Sequence, residues 1–120
     1  MTDRYLCFHG HFYQPPREDP FTGQIPREPG AEPYHDFNEK INAECYRPNA
    51  MLGNFETMSF NVGPTLASWL DKYARETYDR IVQSDRNSGN GIAQSAHHTI
   101  LPLAQAHLQQ IIGEKITGRR

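Results

Sequence analysis

Short apolar runs alternate with longer amphipathic stretches along the chain. Three of the runs, residues 4–8, 56–62 and 92–96, are bounded by glycine. Short apolar runs of this kind are typical of buried parallel strands. The stretches between them have the spacing of helices. Strand, helix, strand, helix, strand, helix is the order of an α/β fold, so the pattern predicts about three parallel strands with intervening helices.

Local signals mark where the helices begin. Asp36 is expected to cap the first helix, with Glu39 at the spacing of a capping box. Pro64 stands early in the second helix, where its missing N–H does no harm. A third helix is predicted from Arg75 and a last one after Pro102. The apolar face of the second helix, at positions i, i+3, i+4 and i+7, consists of Leu66, Trp69, Leu70 and Tyr73.

The segment after the first predicted strand lacks any periodicity. Residues 14–33 hold six of the nine prolines and read as one long loop. Long loops in compact domains are usually functional or disordered. A parallel sheet of only three strands also leaves two unprotected edges. We therefore expect the first part of a larger barrel or sheet, with self-association through the unpaired edges.

Composition excludes several classes of function. The chain has 120 residues, is 37% hydrophobic and 22% charged, and carries a net charge of −2. A near-neutral chain without a basic stripe gives no electrostatic case for nucleic acid as a partner. No apolar run approaches the roughly 18 residues of a membrane helix, and the N-terminus lacks the features of a signal peptide. Cys7, in the first predicted strand, is expected to be buried and reduced, which favours a cytoplasmic protein.

Chemically capable side chains gather at the ends of the predicted strands. Loops at the carboxyl ends of parallel strands build the active sites of α/β barrels, and we expect these groups to converge on one rim. Asn61, at the end of the second strand, would be their neighbour. The candidate substrate-binding residues are His9, His11, Tyr13, Gln14, His97 and His98.

This cluster has more than one chemical interpretation. His9 and His11 alternate along a strand and therefore point the same way, which suits a metal ion held with later ligands. Imidazole, amide and phenol groups also bind sugar hydroxyls, and aromatic faces stack on pyranose rings. Some of the histidines could instead satisfy only backbone groups. A zinc-dependent barrel hydrolase and a non-enzymatic sugar-binding or interaction module therefore remain open as alternatives.

Four blocks taken together resemble the N-terminal part of glycoside hydrolase family 57, in the bacterial subgroup that carries an additional C-terminal domain. The resemblance implies that residues 1–104 are the N-terminal portion of an incomplete (β/α)7 barrel acting on α-glucans. Residues 105–120 diverge from the pattern and read as a separate tail. The blocks that carry the resemblance are YLCFHGHFYQPPRE, PYHDFNEKINAECYRPN, SFNVGPTLASWL and AQSAHHTILPLA.

The same resemblance indicates where the catalytic carboxylates of the family lie and which residues of this chain would contact sugar. The family retains anomeric configuration with a Glu nucleophile and an Asp acid/base, two carboxyl groups about 5 Å apart. Both belong to later strands, so no catalytic residue is assigned in this chain and we expect a fragment that is inactive alone. The first sequence motif of the family is His-Gln-Pro, and the corresponding residues of this chain are Tyr13-Gln14-Pro15. The resemblance carries over His11, Gln14 and His98 as sugar contacts, and implies no cofactor.

Overall fold

The computed structural model describes residues 2–98 and has mixed α/β architecture, as the sequence predicts. Strand β1 spans His9–Phe12 and strand β2 spans Ser59–Val62. The two strands pair in parallel, with His9 opposite Ser59 and Phe12 opposite Val62. Their parallel direction brings both carboxyl ends to the same edge of the sheet. The predicted last helix and the tail at 105–120 lie outside the described residues.

The strand boundaries differ from the prediction in three places. Strand β1 begins five residues later than expected, because β2 is short and its first residue pairs opposite His9. Residues 5, 6 and 8 are exposed, and so is Cys7, which was expected to be buried. The beginning of the second predicted strand forms a 3₁₀ turn over Asn54–Glu56 instead. At the third predicted strand, Gly91 makes an isolated parallel bridge to Phe60, and residues 92–96 form no strand.

A broken helix follows the long loop. Helix α1 spans Phe37–Ile41, a π-helical turn spans Asn42–Tyr46, and helix α2 spans Arg47–Met51. Asp36 caps α1 as predicted, since its carboxylate accepts hydrogen bonds from the backbone N–H groups of two first-turn residues. The Glu39 carboxylate accepts from the backbone N–H of residue 35 at 3.0 Å, one residue before the position that a capping box predicts.

Between β2 and residue 98 the structure has two helices. Helix α3 spans Pro64–Tyr73 and begins at the predicted proline. Helix α4 spans Arg75–Ser88 and ends at Gly89, whose φ of 68° is the left-handed conformation that glycine adopts without strain. Within residues 2–98 no helix has the length and apolar character needed to cross a membrane.

The core lies between the sheet and the helices, on the face of the sheet opposite His9 and His11. Phe55 is fully buried at its centre, with ring centroids 4.9 Å from Phe12 and 4.8 Å from Phe60. Aromatic pairs at such distances add to the stability that apolar burial provides. Trp69 packs here as its helical spacing predicts, whereas Tyr73 is half exposed. The buried apolar residues that form this core are Phe12, Tyr46, Ala50, Phe55, Phe60, Leu66, Trp69, Leu70 and Ile81.

Candidate functional site

The exposed face of the sheet carries a pair of cross-strand polar contacts. The Nδ1 atom of His9 lies 2.9 Å from the Ser59 hydroxyl, and Nδ1 of His11 hydrogen-bonds the Asn61 carboxamide oxygen. These are the partners that the parallel register places side by side. The two histidines therefore share one face, as their spacing predicts, and each is oriented by a β2 side chain.

His98 extends this row of polar groups from the far end of the described chain. Its Nδ1 atom lies 3.1 Å from Nε2 of His11. A carboxamide oxygen only accepts, so Nδ1 of His11 carries the proton that faces Asn61. With His11 singly protonated, its Nε2 accepts from the Nδ1–H of His98. The series of hydrogen bonds from His98 through His11 to Asn61 therefore has a defined direction and leaves Nε2 of His98 as an acceptor.

The ring of Tyr13 completes the cluster. Tyr13 follows β1 directly, and its ring stacks on His98 with centroids 3.9 Å apart and 11° between the planes. The ring of His11 lies 4.7 Å from that of His98. His98 has a φ of 50°, a left-handed conformation that is uncommon outside glycine and is concentrated at functional sites. We name Tyr13, His11 and His98 the aromatic cluster.

The Gln14 side chain does not join the aromatic cluster. It is buried, its Nε2 donates to the Tyr46 hydroxyl at 2.8 Å, and its Oε1 accepts from Arg17 Nη2 at 2.9 Å. Burial raises the pKa of the Tyr46 phenol, and the hydrogen bond from Gln14 offsets part of that rise. Gln14 thus lies behind the aromatic cluster with both ends of its amide engaged. Its role as a sugar contact stays a prediction.

Arg17 organises the long loop, a role that the sequence interpretation missed. Its guanidinium pairs with the Glu28 carboxylate, and its Nε donates to Asn38 Oδ1 at 2.9 Å. The second oxygen of Glu28 accepts from the backbone N–H of Phe37 at 2.9 Å. The five donors of the guanidinium allow this one side chain to join two parts of the loop, at Gln14 and Glu28, to α1. The proline-rich segment is therefore held against the helices by a polar network.

His97 lies on a different part of the surface. It lines a shallow depression of about 320 Å³ together with Pro16, Glu18 and the start of α3. His97 and His98 are therefore adjacent in the chain, but only His98 belongs to the aromatic cluster. Of the six predicted residues, the structure brings together His11, Tyr13 and His98, places His9 beside them on the same sheet face, and separates Gln14 from them.

The metal alternative gains no support from the described residues. The side chains of His9 and His11 each bond a β2 residue. Across residues 2–98, His, Cys, Asp and Glu side chains form no group of three or more that could hold a metal ion. Zinc sites are usually built from three or four such ligands.

The arrangement suits a ligand with an apolar face and several hydroxyl groups. A phenol ring offers a stacking surface, while imidazole nitrogens and the Asn61 carboxamide offer donors and acceptors. Comparison with known proteins gives no family model, curated protein or solved structure that matches the chain.

Proposed function

We propose that the chain forms the N-terminal portion of a family 57-type glycoside hydrolase barrel and contributes part of its α-glucan-binding rim. The fold is compatible with this origin. Strands β1 and β2 are parallel, and residues 90–92 bond Phe60 on the other edge of β2, as a third parallel strand would. The sheet of a (β/α) barrel grows by this kind of addition.

The position of the aromatic cluster carries the proposal. Tyr13 follows the last residue of β1, and Asn61 lies near the end of β2, so both stand at the carboxyl edge of the sheet. Ligands of α/β proteins bind at that edge. A pyranose ring has an apolar face that fits the Tyr13 ring, and hydroxyls that fit the imidazoles and the Asn61 carboxamide.

The chain is proposed to bind without performing the bond cleavage. The resemblance assigns the nucleophilic Glu and the acid/base Asp to later strands, and none of the carboxylates in residues 2–98 belongs to the aromatic cluster. Retaining chemistry needs both carboxyl groups on either side of one glycosidic bond. We therefore expect a sugar-binding chain that releases no reducing sugar alone.

Calorimetric titration of the 120-residue chain with maltoheptaose tests the proposal, with cellohexaose as the β-linked comparison. We expect saturable binding of maltoheptaose with a Kd of about 1 mM or tighter. The substitution Tyr13→Leu keeps an apolar side chain but removes the stacking face, and should weaken binding about tenfold. Tyr73→Leu removes a half-exposed tyrosine from α3 and should leave the affinity unchanged.

Three results would contradict the proposal. The first is the absence of saturable binding by the unaltered chain. The second is equal loss of affinity in the Tyr13 and Tyr73 variants, which would remove the aromatic cluster from the binding site. Release of reducing sugar that His11→Ala abolishes would show that catalysis does not need the later carboxylates.

A further inference from the structure

Gln94 carries a buried amide that nothing in residues 2–98 satisfies. Neither its Nε2 nor its Oε1 is accessible to water, and neither has a hydrogen-bond partner among the described residues. Nearly all buried polar side-chain atoms in folded proteins are paired, because an unpaired one loses its water without replacement. An amide unpaired at both ends therefore requires an explanation.

The amide lies beside the aromatic cluster. Its Nε2 is 3.4 Å from the point where a Cβ on Gly63 would stand, and the Tyr13 ring approaches that same point to 2.7 Å. Gln94 is thus next to Tyr13, on the segment that leads to His98. The neighbouring Ser95 hydroxyl is also buried and unpaired within residues 2–98. Of the four buried side-chain atoms without a partner within residues 2–98, three belong to Gln94 and Ser95 and the fourth is Asn42 Oδ1.

A second buried amide nearby shows the opposite behaviour. Gln14 comes directly after Tyr13 in the chain, and both ends of its amide are paired, with Tyr46 and with Arg17. The fold therefore satisfies a buried glutamine in this region where the side chain serves structure. The difference between Gln14 and Gln94 points to separate roles.

We infer that Gln94 is a ligand-binding residue whose amide donates to one hydroxyl and accepts from the adjacent hydroxyl of a bound glucose unit. This inference rests on the proposed function. The sugar reaches the amide when the His98 ring leaves the face of Tyr13 and the sugar takes its place. His98 is suited to such a change, because its backbone holds a left-handed conformation and its N–H makes a 3.3 Å bond to Ser95.

The substitution Gln94→Met tests this in the full chain, because methionine has nearly the same length and no polar amide. Without ligand, Gln94→Met should raise Tm by about 4 °C or more, since an unpaired buried amide is removed. The matched variant Gln14→Met removes a paired amide and should lower Tm. With maltoheptaose, Gln94→Met should weaken binding about tenfold, and the side-chain amide NMR signal of Gln94 should shift on titration of the unaltered chain.

The outcomes separate this inference from the proposed function. Binding of maltoheptaose by the unaltered chain with equal affinity in Gln94→Met, or without a shift of the Gln94 signal, overturns the role of Gln94 alone. A fall in Tm comparable to that of Gln14→Met also overturns it, because the amide would then be paired in the free protein. Absence of maltoheptaose binding by the unaltered chain overturns the proposed function and this inference together.

Discussion

The ring of Tyr13 lies against Gly63, with its Cδ2 atom 2.7 Å from the point where a Cβ on that residue would stand. Gly63 has an extended backbone with φ of −63° and ψ of 144°, so the glycine is required by contact and not by conformation. The first residue after β1 and the first residue after β2 therefore meet at the site. The position of the stacking face depends on the absence of a side chain at residue 63.

Gly63→Ala should displace the Tyr13 ring. We expect a loss of about 1–3 kcal/mol in the free energy of unfolding, from overpacking, together with weaker maltoheptaose binding. Gly53→Ala is the control, because residue 53 has a φ of 73° and open space around it. That control should cost about 1 kcal/mol through backbone strain and leave binding intact. Equal affinities in the two variants would contradict the role of the Tyr13 ring position.

Arg17→Ala should be far more destabilising than Arg75→Ala. Arg17 and Glu28 form a partly buried pair, and removal of the guanidinium also leaves Gln14 and Asn38 without a donor. We expect a loss of about 2–3 kcal/mol, measured by urea unfolding. Arg75 pairs with carboxylates on the exposed surface of the helices, so its removal should cost less than about 1 kcal/mol. Similar losses would show that the Arg17 network does not hold the loop.

Stability should fall at alkaline pH through Tyr46. Because burial raises the pKa of Tyr46 in the folded chain, the unfolded chain releases the phenolic proton at lower pH. The resulting stabilisation is complete below the ordinary tyrosine pKa of about 10 and is lost as pH rises through the higher folded-state pKa. Urea unfolding between pH 8 and pH 11 should therefore show a steeper decline for the unaltered chain than for Tyr46→Phe. Parallel declines would contradict this assignment.

The outer edge of β1 should drive self-association. Within residues 2–98 that edge has no partner strand, and Tyr5, Leu6 and Phe8 just before it are 90%, 80% and 65% exposed. Exposed edges with apolar neighbours pair with other chains. Light scattering after size exclusion should show mass rising with concentration, and Phe8→Lys should suppress the rise. Leu52→Lys, a change at an exposed apolar residue elsewhere, should not. A monomer at every concentration would contradict the prediction.

Local signals in the sequence identify the helices better than the strands. Asp36 and Pro64 mark helix starts through interactions within one turn, and both predictions are confirmed. Strand β1 begins later than its apolar run predicts, because its position depends on pairing with β2, fifty residues away. Apolar character alone could not show that residues 4–8 stay exposed while His9–Phe12 pair.

The sequence predicts which residues form the site better than it predicts the directions of their side chains. Alternation along β1 places His9 and His11 on one face, and that expectation follows from strand geometry. The directions of Tyr13 and Gln14 could not be read in the same way, because they follow the strand and are set by contacts with His98 and Tyr46. Gln94 was missed as a candidate because its unusual feature is a missing partner, and only a structure reveals that.

The π-helical turn at Asn42–Tyr46 makes the length of this segment critical. A π turn holds one residue more than an α-helical turn, so it acts as a single-residue insertion retained within a helix. Deleting one residue there would give a regular helix and rotate everything beyond it by about 100°. Asn38 could then bond Arg17, or Tyr46 could bond Gln14, but not both. Both contacts therefore require the observed spacing between Asn38 and Tyr46, and not only the identity of these two residues.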